Sequence, residues 1–232
     1  AFVAEGVRLV EEAVKANWKC RFALYDETLS ERGRSQVESL KSQGVDVEEV
    51  SASVMKSMSE TEAPQGILAV LEFTHLPIPQ STNFILIPDQ IRDPGNLGTL
   101  LRSAAASGVQ AVLIPPETTD AFAPKVLRSG MGAHFRLPIH SMGWDEIEKV
   151  AKSEGLNVLV ADMDGQPCWE TDLRKPIALI VGSEAEGASE SARKLANGRI
   201  SIPMTGETES LNAGAAGSVL MFEVLRQRTS NE

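Results

Sequence analysis

Asn96, Gly98 and Arg102 sit in the run Asp93-Pro94-Gly95-Asn96-Leu97-Gly98-Thr99-Leu100-Leu101-Arg102, directly after a strand-length apolar stretch. An amide and a guanidinium in one segment suit the holding of a phosphate or a hydroxyl and the stabilising of negative charge that develops there. Two other stretches concentrate similar potential. Ile180-Val181-Gly182-Ser183-Glu184-Ala185-Glu186-Gly187 brackets carboxylates between glycines. Ile202-Pro203-Met204-Thr205-Gly206-Glu207-Thr208-Glu209-Ser210-Leu211-Asn212-Ala213 precedes a long final helix.

Each stretch also has an ordinary explanation. Gly95 and Gly98 suit a strand-to-helix turn, and an arginine one turn later is commonly solvated. Ser210 or Asn212 suits an N-cap for the helix running to about Arg228, although a helix start can also hold a polar ligand. Gly214 and Gly217 weaken the opening turns of that helix. They mark either close approach to a ligand or another chain, or simple packing. Nucleotide signatures fail. No Lys-Ser/Thr pair follows Gly187, and Gly130-Met131-Gly132-Ala133-His134-Phe135 lacks a third glycine. His75, His134 and His140 have no zinc-site spacing, so no metal is expected. Cys20 and Cys168 read as lone thiols in a reducing compartment.

The elements that must position these residues follow from patterning. Val3, Val7, Leu9, Val10 and Val14 recur at helical spacing. A strand is expected at Arg21–Tyr25, a helix from Ser30 to Gly44, and strands at 45–50 and 67–73. The stretch 76–82, rich in proline and polar residues, marks a linker. Beyond it, strands are expected at Phe84–Pro88, Ala111–Ile114, Phe135–Pro138, Val158–Ala161, Ile177–Val181 and Arg199–Ile202. Continuous Val/Ile/Leu runs separated by helices imply an α/β fold, a parallel sheet with helices on both faces. Ligands of such sheets bind beyond the strands' carboxyl ends, where all three stretches fall.

With 232 residues, 42% hydrophobic and 23% charged, the chain describes an ordinary globular protein of one large or two small domains. The longest apolar runs are too short to cross a bilayer as a helix. Net charge of −10 argues against retention on nucleic acid by bulk charge. Within 91–136, however, Arg92, Arg102, Lys125, Arg128 and Arg136 outnumber Asp93, Glu117 and Asp120, a local +2. A basic patch around Arg102 is expected.

In this order, the three stretches resemble the signature motifs of the SpoU-type RNA 2′-O-ribose methyltransferases of the SPOUT superfamily. The match is Asn96-x-Gly98-x-x-x-Arg102, then Gly182-Ser183-Glu184-x-x-Gly187, then Ile202-Pro203-Met204 with Glu209-Ser210-Leu211-Asn212. Val126 to Pro138 resembles the family's linking segment. The first 74 residues are similar to its small α/β substrate-binding domain, through Glu5-Gly6-Val7-Arg8-Leu9-Val10 and Ala63-Pro64-Gln65-Gly66-Ile67. The resemblance implies an N-terminally incomplete RNA substrate-binding domain over 1–75, a linker over 76–82 and a methyltransferase domain over 83–232 closed by a C-terminal trefoil knot. It implies S-adenosyl-L-methionine as cofactor, held by Gly182, Ile202 and Leu211 with Glu184, Gly187 and Met204 shaping the pocket. Arg102, Asn96, Ser210 and Asn212 would be catalytic, and two chains would pair through the knot.

The family's arginine at the Arg102 position is assigned to activating the ribose hydroxyl. A guanidinium, which stays protonated far above neutrality, is a poor base. Phosphate binding and stabilisation of a developing alkoxide suit it better. The resemblance makes rRNA or tRNA the expected substrate, with Arg92, Arg102, Lys125, Arg128 and Arg136 as its RNA contacts. A catalytically inactive RNA-binding or ribosome-assembly module of the same fold is the alternative. The chain starts at Ala1, inside an expected helix, so a preceding segment is expected. The protein would work inside the cell: in the cytoplasm of a bacterium, or in a chloroplast or mitochondrion if a transit peptide came first.

Overall fold

The computed structural model describes residues 1–206 and 210–230. Glu209, part of the third stretch, therefore lies outside the described residues, as do Glu207 and Thr208. The chain divides into two compact units: Ala1–Thr74 with Phe122–Arg136, and His75–Ala121 with the chain from Leu137 onward.

The first unit begins with β1 (Phe2–Glu5), α1 (Val7–Lys15), β2 (Cys20–Tyr25), α2 (Glu31–Ser42), β3 (Asp46–Glu49), α3 (Ala52–Met58) and β4 (Ile67–Leu71). Its sheet has the order β1-β4-β2-β3, antiparallel except for β2–β3. The helix expected from Val3 is a strand up to Glu5. Gly6, at φ 99°, takes a conformation that residues with side chains rarely adopt, and it separates β1 from α1. Pairing of Phe2 with Leu71 and of Ala4 with Ala69 overrides the helical spacing. Ser30 caps α2 by accepting from Gly33 N at 3.3 Å. The short α3 was not expected, because of its seven residues only Met55 is buried.

The chain continues with β5 (Phe84–Pro88), α4 (Pro94–Ser107) and β6 (Ala111–Ile114). It then contributes α5 (Pro124–Gly130) and a 3-10 turn, Ala133–Phe135, to the first unit. There Phe122 meets Phe2 and Phe73 at ring centroids of 5.0 Å, and Phe135 meets Trp18 at 5.3 Å. Such ring pairs contribute about 0.5–1.5 kcal/mol each beyond area burial. This cluster explains why the strand expected at Phe135–Pro138 does not form. Met131 (φ 50°) and Gly132 (φ 86°) turn the chain so that Phe135 enters the aromatic cluster, and the strand starts only at Ile139.

The second unit is completed by β7 (Ile139–Ser141), α6 (Trp144–Ser153), β8 (Asn157–Pro167), β9 (Ile177–Val181), α7 (Glu190–Leu195), β10 (Gly198–Ser201) and α8 (Ala213–Thr229). Its six strands are all parallel, in the order β10-β8-β9-β5-β6-β7. Every residue of β5, β6 and β9 is buried, as expected for strands covered on both faces. Ile85, Ile87, Leu113, Val158 and Ile180 pack with Ile147 and Ala151 of α6 and Ala192 of α7. On the other face α4 and α8 pack against each other and onto β5 and β9.

The α4–α8 contact leaves no room for a side chain at Gly217. A Cβ there would lie 2.3 Å from Leu100 Cδ2 and 3.3 Å from Val181 Cγ2. Gly217 is thus a packing glycine facing its own chain. Ser103 and Ser218 share a 2.7 Å hydroxyl contact along the same seam. Gly217→Val is expected to lower stability by about 1–3 kcal/mol through overpacking, read as a shift in urea midpoint at constant m-value. An unchanged midpoint would show that the seam tolerates the extra volume.

Candidate active site

Both long helices of the site start from sequence signals at the carboxyl ends of the sheet. Asp93 caps α4 by accepting from Asn96 N at 2.8 Å, Pro94 sets the first turn, and Gly108 at φ 84° ends the helix. Asn212 caps α8 by accepting from Ala215 N at 3.2 Å. After β9 the chain folds back sharply. Ser183 and Gly187 exchange two backbone hydrogen bonds of 3.0 Å, with Gly187 at φ 69°. Gly182 is fixed by this turn, since a Cβ on it would stand 2.5 Å from the backbone of Gly187 and of Ala188.

Glu184, at the head of that turn, joins all three stretches. Its Oε1 accepts from Asn96 Nδ2 at 2.5 Å, from Asn212 Nδ2 at 2.8 Å and from Ala213 N at 3.0 Å. Asn212 Nδ2 also reaches Asn96 Oδ1 at 2.8 Å. A carboxylate against the first backbone N–H groups of α8 also complements that helix's positive end. Asn212 therefore spends its oxygen on the cap and its amide on the other two motifs.

Beside this knot of hydrogen bonds lies a cavity of about 370 Å³. Gly182, Glu184, Gly187, Ile202, Met204, Ser210 and Leu211, all expected to serve the site, line it. Met204 and Leu211 are more than a third exposed, so apolar side chains line an open side of the cavity. Arg102, on α4, is exposed, and among the described residues no carboxylate lies within 4 Å of it. The five expected RNA contacts divide between the units. Arg92 and Arg102 belong to the second. Lys125, Arg128 and Arg136 belong to the first, where Arg128 pairs with Glu5 and Glu60, and Arg136 with Glu12. Arg92 stands 3.9 Å from Glu117 and Glu186.

The sequence reading missed four residues here. Asp162, Met163 and Arg193 also line the cavity. Asp162 and Met163 lie on the part of β8 that runs past the expected strand, and Arg193 carries no motif. The fourth, Asp89, is fully buried immediately after β5. Its Oδ2 accepts from Ser189 N at 2.6 Å, anchoring the end of the Gly182–Ala188 loop, while Oδ1 has no hydrogen-bond partner. Its place at the carboxyl end of a central strand was the signal that could have found it. Among the described residues no group of three or more His, Cys, Asp or Glu is arranged to hold a metal, and no helix is long and apolar enough to cross a membrane.

The geometry has clear relatives. Residues 83–222 match the model of the SpoU rRNA Methylase family, and residues 1–69 that of the MRM3-like substrate binding domain. The chain belongs to the SpoU rRNA methylase family. It is 34% identical over 225 residues to the 23S rRNA (guanosine(2553)-2′-O)-methyltransferase RlmP of Bacillus subtilis, covering 96% of this chain and 88% of that protein. It is 31% identical over 281 residues to mouse mitochondrial rRNA methyltransferase 3, covering 96% and 66%. The crystal structure of the SpoU methyltransferase AviRb from Streptomyces viridochromogenes, in complex with the cofactor AdoMet, superposes with a TM-score of 0.86 at 27% identity, covering 99% and 91%.

Asp89 offers a direct check on how the SpoU loop is anchored. Burial pushes its carboxyl above the ordinary aspartate range, and the hydrogen bond from Ser189 N opposes that shift. The fold therefore favours the protonated acid. The resulting stabilisation is fully present below the ordinary aspartate pKa and is lost as pH rises through the elevated one. Asp89→Asn keeps an oxygen for Ser189 N and has no charge to desolvate. The stability of the native protein relative to this variant is expected to fall between pH 3 and 7, measured by urea unfolding. A rise over that range would mean that Asp89 is ionised without cost.

Proposed function

We propose that the chain transfers a methyl group from S-adenosyl-L-methionine to a ribose 2′-hydroxyl of ribosomal RNA. The observation that carries this reading is the convergence of Asn96, Asn212 and Ala213 on Glu184 Oε1, which ties the first family motif to the second and third, and those two line one cavity. The cofactor suits that cavity on chemical grounds. Its volume lies in the range of about 300–1,000 Å³ usual for small-molecule sites. Ile202, Met204 and Leu211 offer faces for an adenine ring, and the glycine-bound turn at Gly182 leaves backbone groups open to its edge. Asp162, Glu184 and Glu186 among the lining residues favour a cationic ligand.

When bound, the cofactor supplies an electrophilic methyl on a sulfonium, so the protein has to align the hydroxyl and stabilise the charge left on it. Among the described residues no carboxylate lies within 4 Å of Arg102, so its guanidinium is free to meet an anion. It holds the RNA phosphate and stabilises the developing alkoxide. Asn96 and Asn212, already ordered by Glu184, and Ser210 at the rim position the ribose by neutral hydrogen bonds.

The same reading assigns RNA holding to residues 1–75 and methyl transfer to 83–232, joined across 76–82, with Phe122–Arg136 lent to the first unit. It includes the C-terminal trefoil knot, supported by the insertion of β9 between β5 and β8. It also includes pairing of two chains, supported by the exposed Val219 and Phe222 of α8.

Two variants test the reading together. Arg102→Ala is expected to reduce methyl transfer to a large-subunit rRNA transcript by at least 100-fold while cofactor affinity, read by calorimetry, stays within about twofold. Gly182→Ala is expected to lose cofactor affinity instead, because the new Cβ displaces the loop backbone. Absence of calorimetric heat with the wild-type chain would favour the inactive RNA-binding module. Near wild-type turnover in Arg102→Ala would remove that residue from the mechanism.

A further inference from the structure

One side chain opposes the acidic character of the large cavity. Among the described lining residues Arg193 is the single cation, against the carboxyls of Asp162, Glu184 and Glu186. It belongs to none of the three motifs, yet the fold places it with care. Buried Asp89 accepts from Ser189 N at 2.6 Å, and Ser189 Oγ caps α7 by accepting from Ala192 N at 3.1 Å. Arg193 N then donates to Ser189 O at 3.0 Å, and Arg193 Nε donates to Ala188 O at 3.0 Å. The side chain is thereby folded back over the end of the Gly182–Ala188 loop. Nη2 stands 3.4 Å from where a Cβ on Gly187 would be.

This anchored fork has no anion of its own. Among the described residues no carboxylate lies within 4 Å of Arg193, although three line the same cavity. Those acids have other partners. Glu184 Oε1 takes Asn96, Asn212 and Ala213, Glu186 stands 3.9 Å from Arg92, and Asp162 stands 3.9 Å from Arg199. The adjacent Lys194 pairs with Glu190 at 2.7 Å and does not line the cavity. Held at Nε, Arg193 keeps its terminal amino groups for a ligand, in the planar arrangement that suits a carboxylate. The charges of the cofactor match this distribution. S-adenosyl-L-methionine carries a sulfonium and an α-ammonium with one α-carboxylate, and the cavity sets three acids beside one guanidinium.

We infer that Arg193 binds the α-carboxylate of S-adenosyl-L-methionine and sets the site's preference for a donor with an intact amino-acid tail. The inference rests on the proposed function for the identity of the cofactor. It adds the residue that orients the amino-acid end, which no motif supplies. Without Arg193, that carboxylate would meet only acids among the charged lining residues described. The arginine therefore acts on specificity as well as affinity, and it takes no part in handling the ribose proton.

Arg193 is exposed, so replacing it spares the core. Affinities are measured by calorimetry for S-adenosyl-L-methionine and for its decarboxylated analogue, which keeps the sulfonium and the amine. The proteins are the native chain, Arg193→Ala, Arg193→Gln and Lys194→Ala. Glutamine keeps a donor at the position of Nε for Ala188 O but loses the fork, so it separates loop anchoring from ligand binding. The native chain is expected to prefer the intact cofactor by about 5- to 30-fold, the size of a partly exposed charge-assisted pair. Both Arg193 variants should lose that preference by weakening the intact cofactor alone, with the analogue held within about twofold. Lys194→Ala should keep it. Equal losses for both ligands in the Arg193 variants would make the residue a loop anchor and overturn the inference. A preference that survives in Arg193→Ala, or a native chain that binds the two ligands equally, would overturn it as well. A native chain that binds neither ligand would overturn the proposed function and the Arg193 assignment together.

Discussion

One carboxylate oxygen holds the catalytic unit's working parts in register. Glu184 Oε1 accepts from an α4 side chain, from the α8 cap and from the α8 backbone, drawing on residues 88, 28 and 29 positions away. Because Glu184 and Asn212 are exposed to water, each of these bonds contributes only about 0.5–1.5 kcal/mol net, and their effect is to set geometry. Asn212 shows the economy of the arrangement, because the residue that starts α8 is also the residue that ties it to α4 and to the Gly182–Gly187 turn. Arg102 is on α4, two turns from Asn96, so the orientation of that helix decides where the guanidinium stands relative to the cavity. The seam at Gly217 works in the same direction, bringing α8 near enough to α4 for the side-chain bonds at their starts to form.

What the sequence disclosed depended on whether a local pattern or a distant contact decided each element. Strands β5 and β9 coincide with the expected Phe84–Pro88 and Ile177–Val181, because strands buried on both faces must be continuously apolar. The starts of α4 and α8 were legible as well, since caps are local chemistry. The N-terminal segment misled because Val3, Val7 and Val14 keep helical spacing, while Phe2 and Ala4 pair with β4 some 65 residues away. The strand expected at Phe135 failed for a similar reason, an aromatic cluster whose members come from four separate parts of the chain.

The candidate site divides the same way. Every cofactor residue named from the motifs lines one cavity, which shows how tightly short glycine-containing turns encode their own geometry. Arg193 was invisible because cavity lining is a property of the folded chain, while Asp89 was signalled only by its place directly after a central strand, its burial showing in the folded chain alone. Asp89 matters most among these, since the loop it anchors carries Glu184. A buried carboxyl with one partnered oxygen and one bare oxygen is an expensive way to hold a loop, and its bond to the end of a cavity-lining loop argues that the loop's placement is worth that cost.

The charge of −10 resolves once the units are separated. Ala1–Thr74 with Phe122–Arg136 holds 11 basic and 13 acidic residues, a net −2, while the remainder holds 11 and 19, a net −8. Assigning Phe122–Arg136 to the first unit moves Lys125, Arg128 and Arg136 there without adding any acid. A near-neutral unit imposes little long-range repulsion on a polyanion. A strongly acidic unit favours a sulfonium and keeps Arg102 as a local exception rather than part of a broad basic field. RNA affinity in such a protein must come from a few placed contacts rather than from bulk charge, so the loss of any one of them should be felt disproportionately.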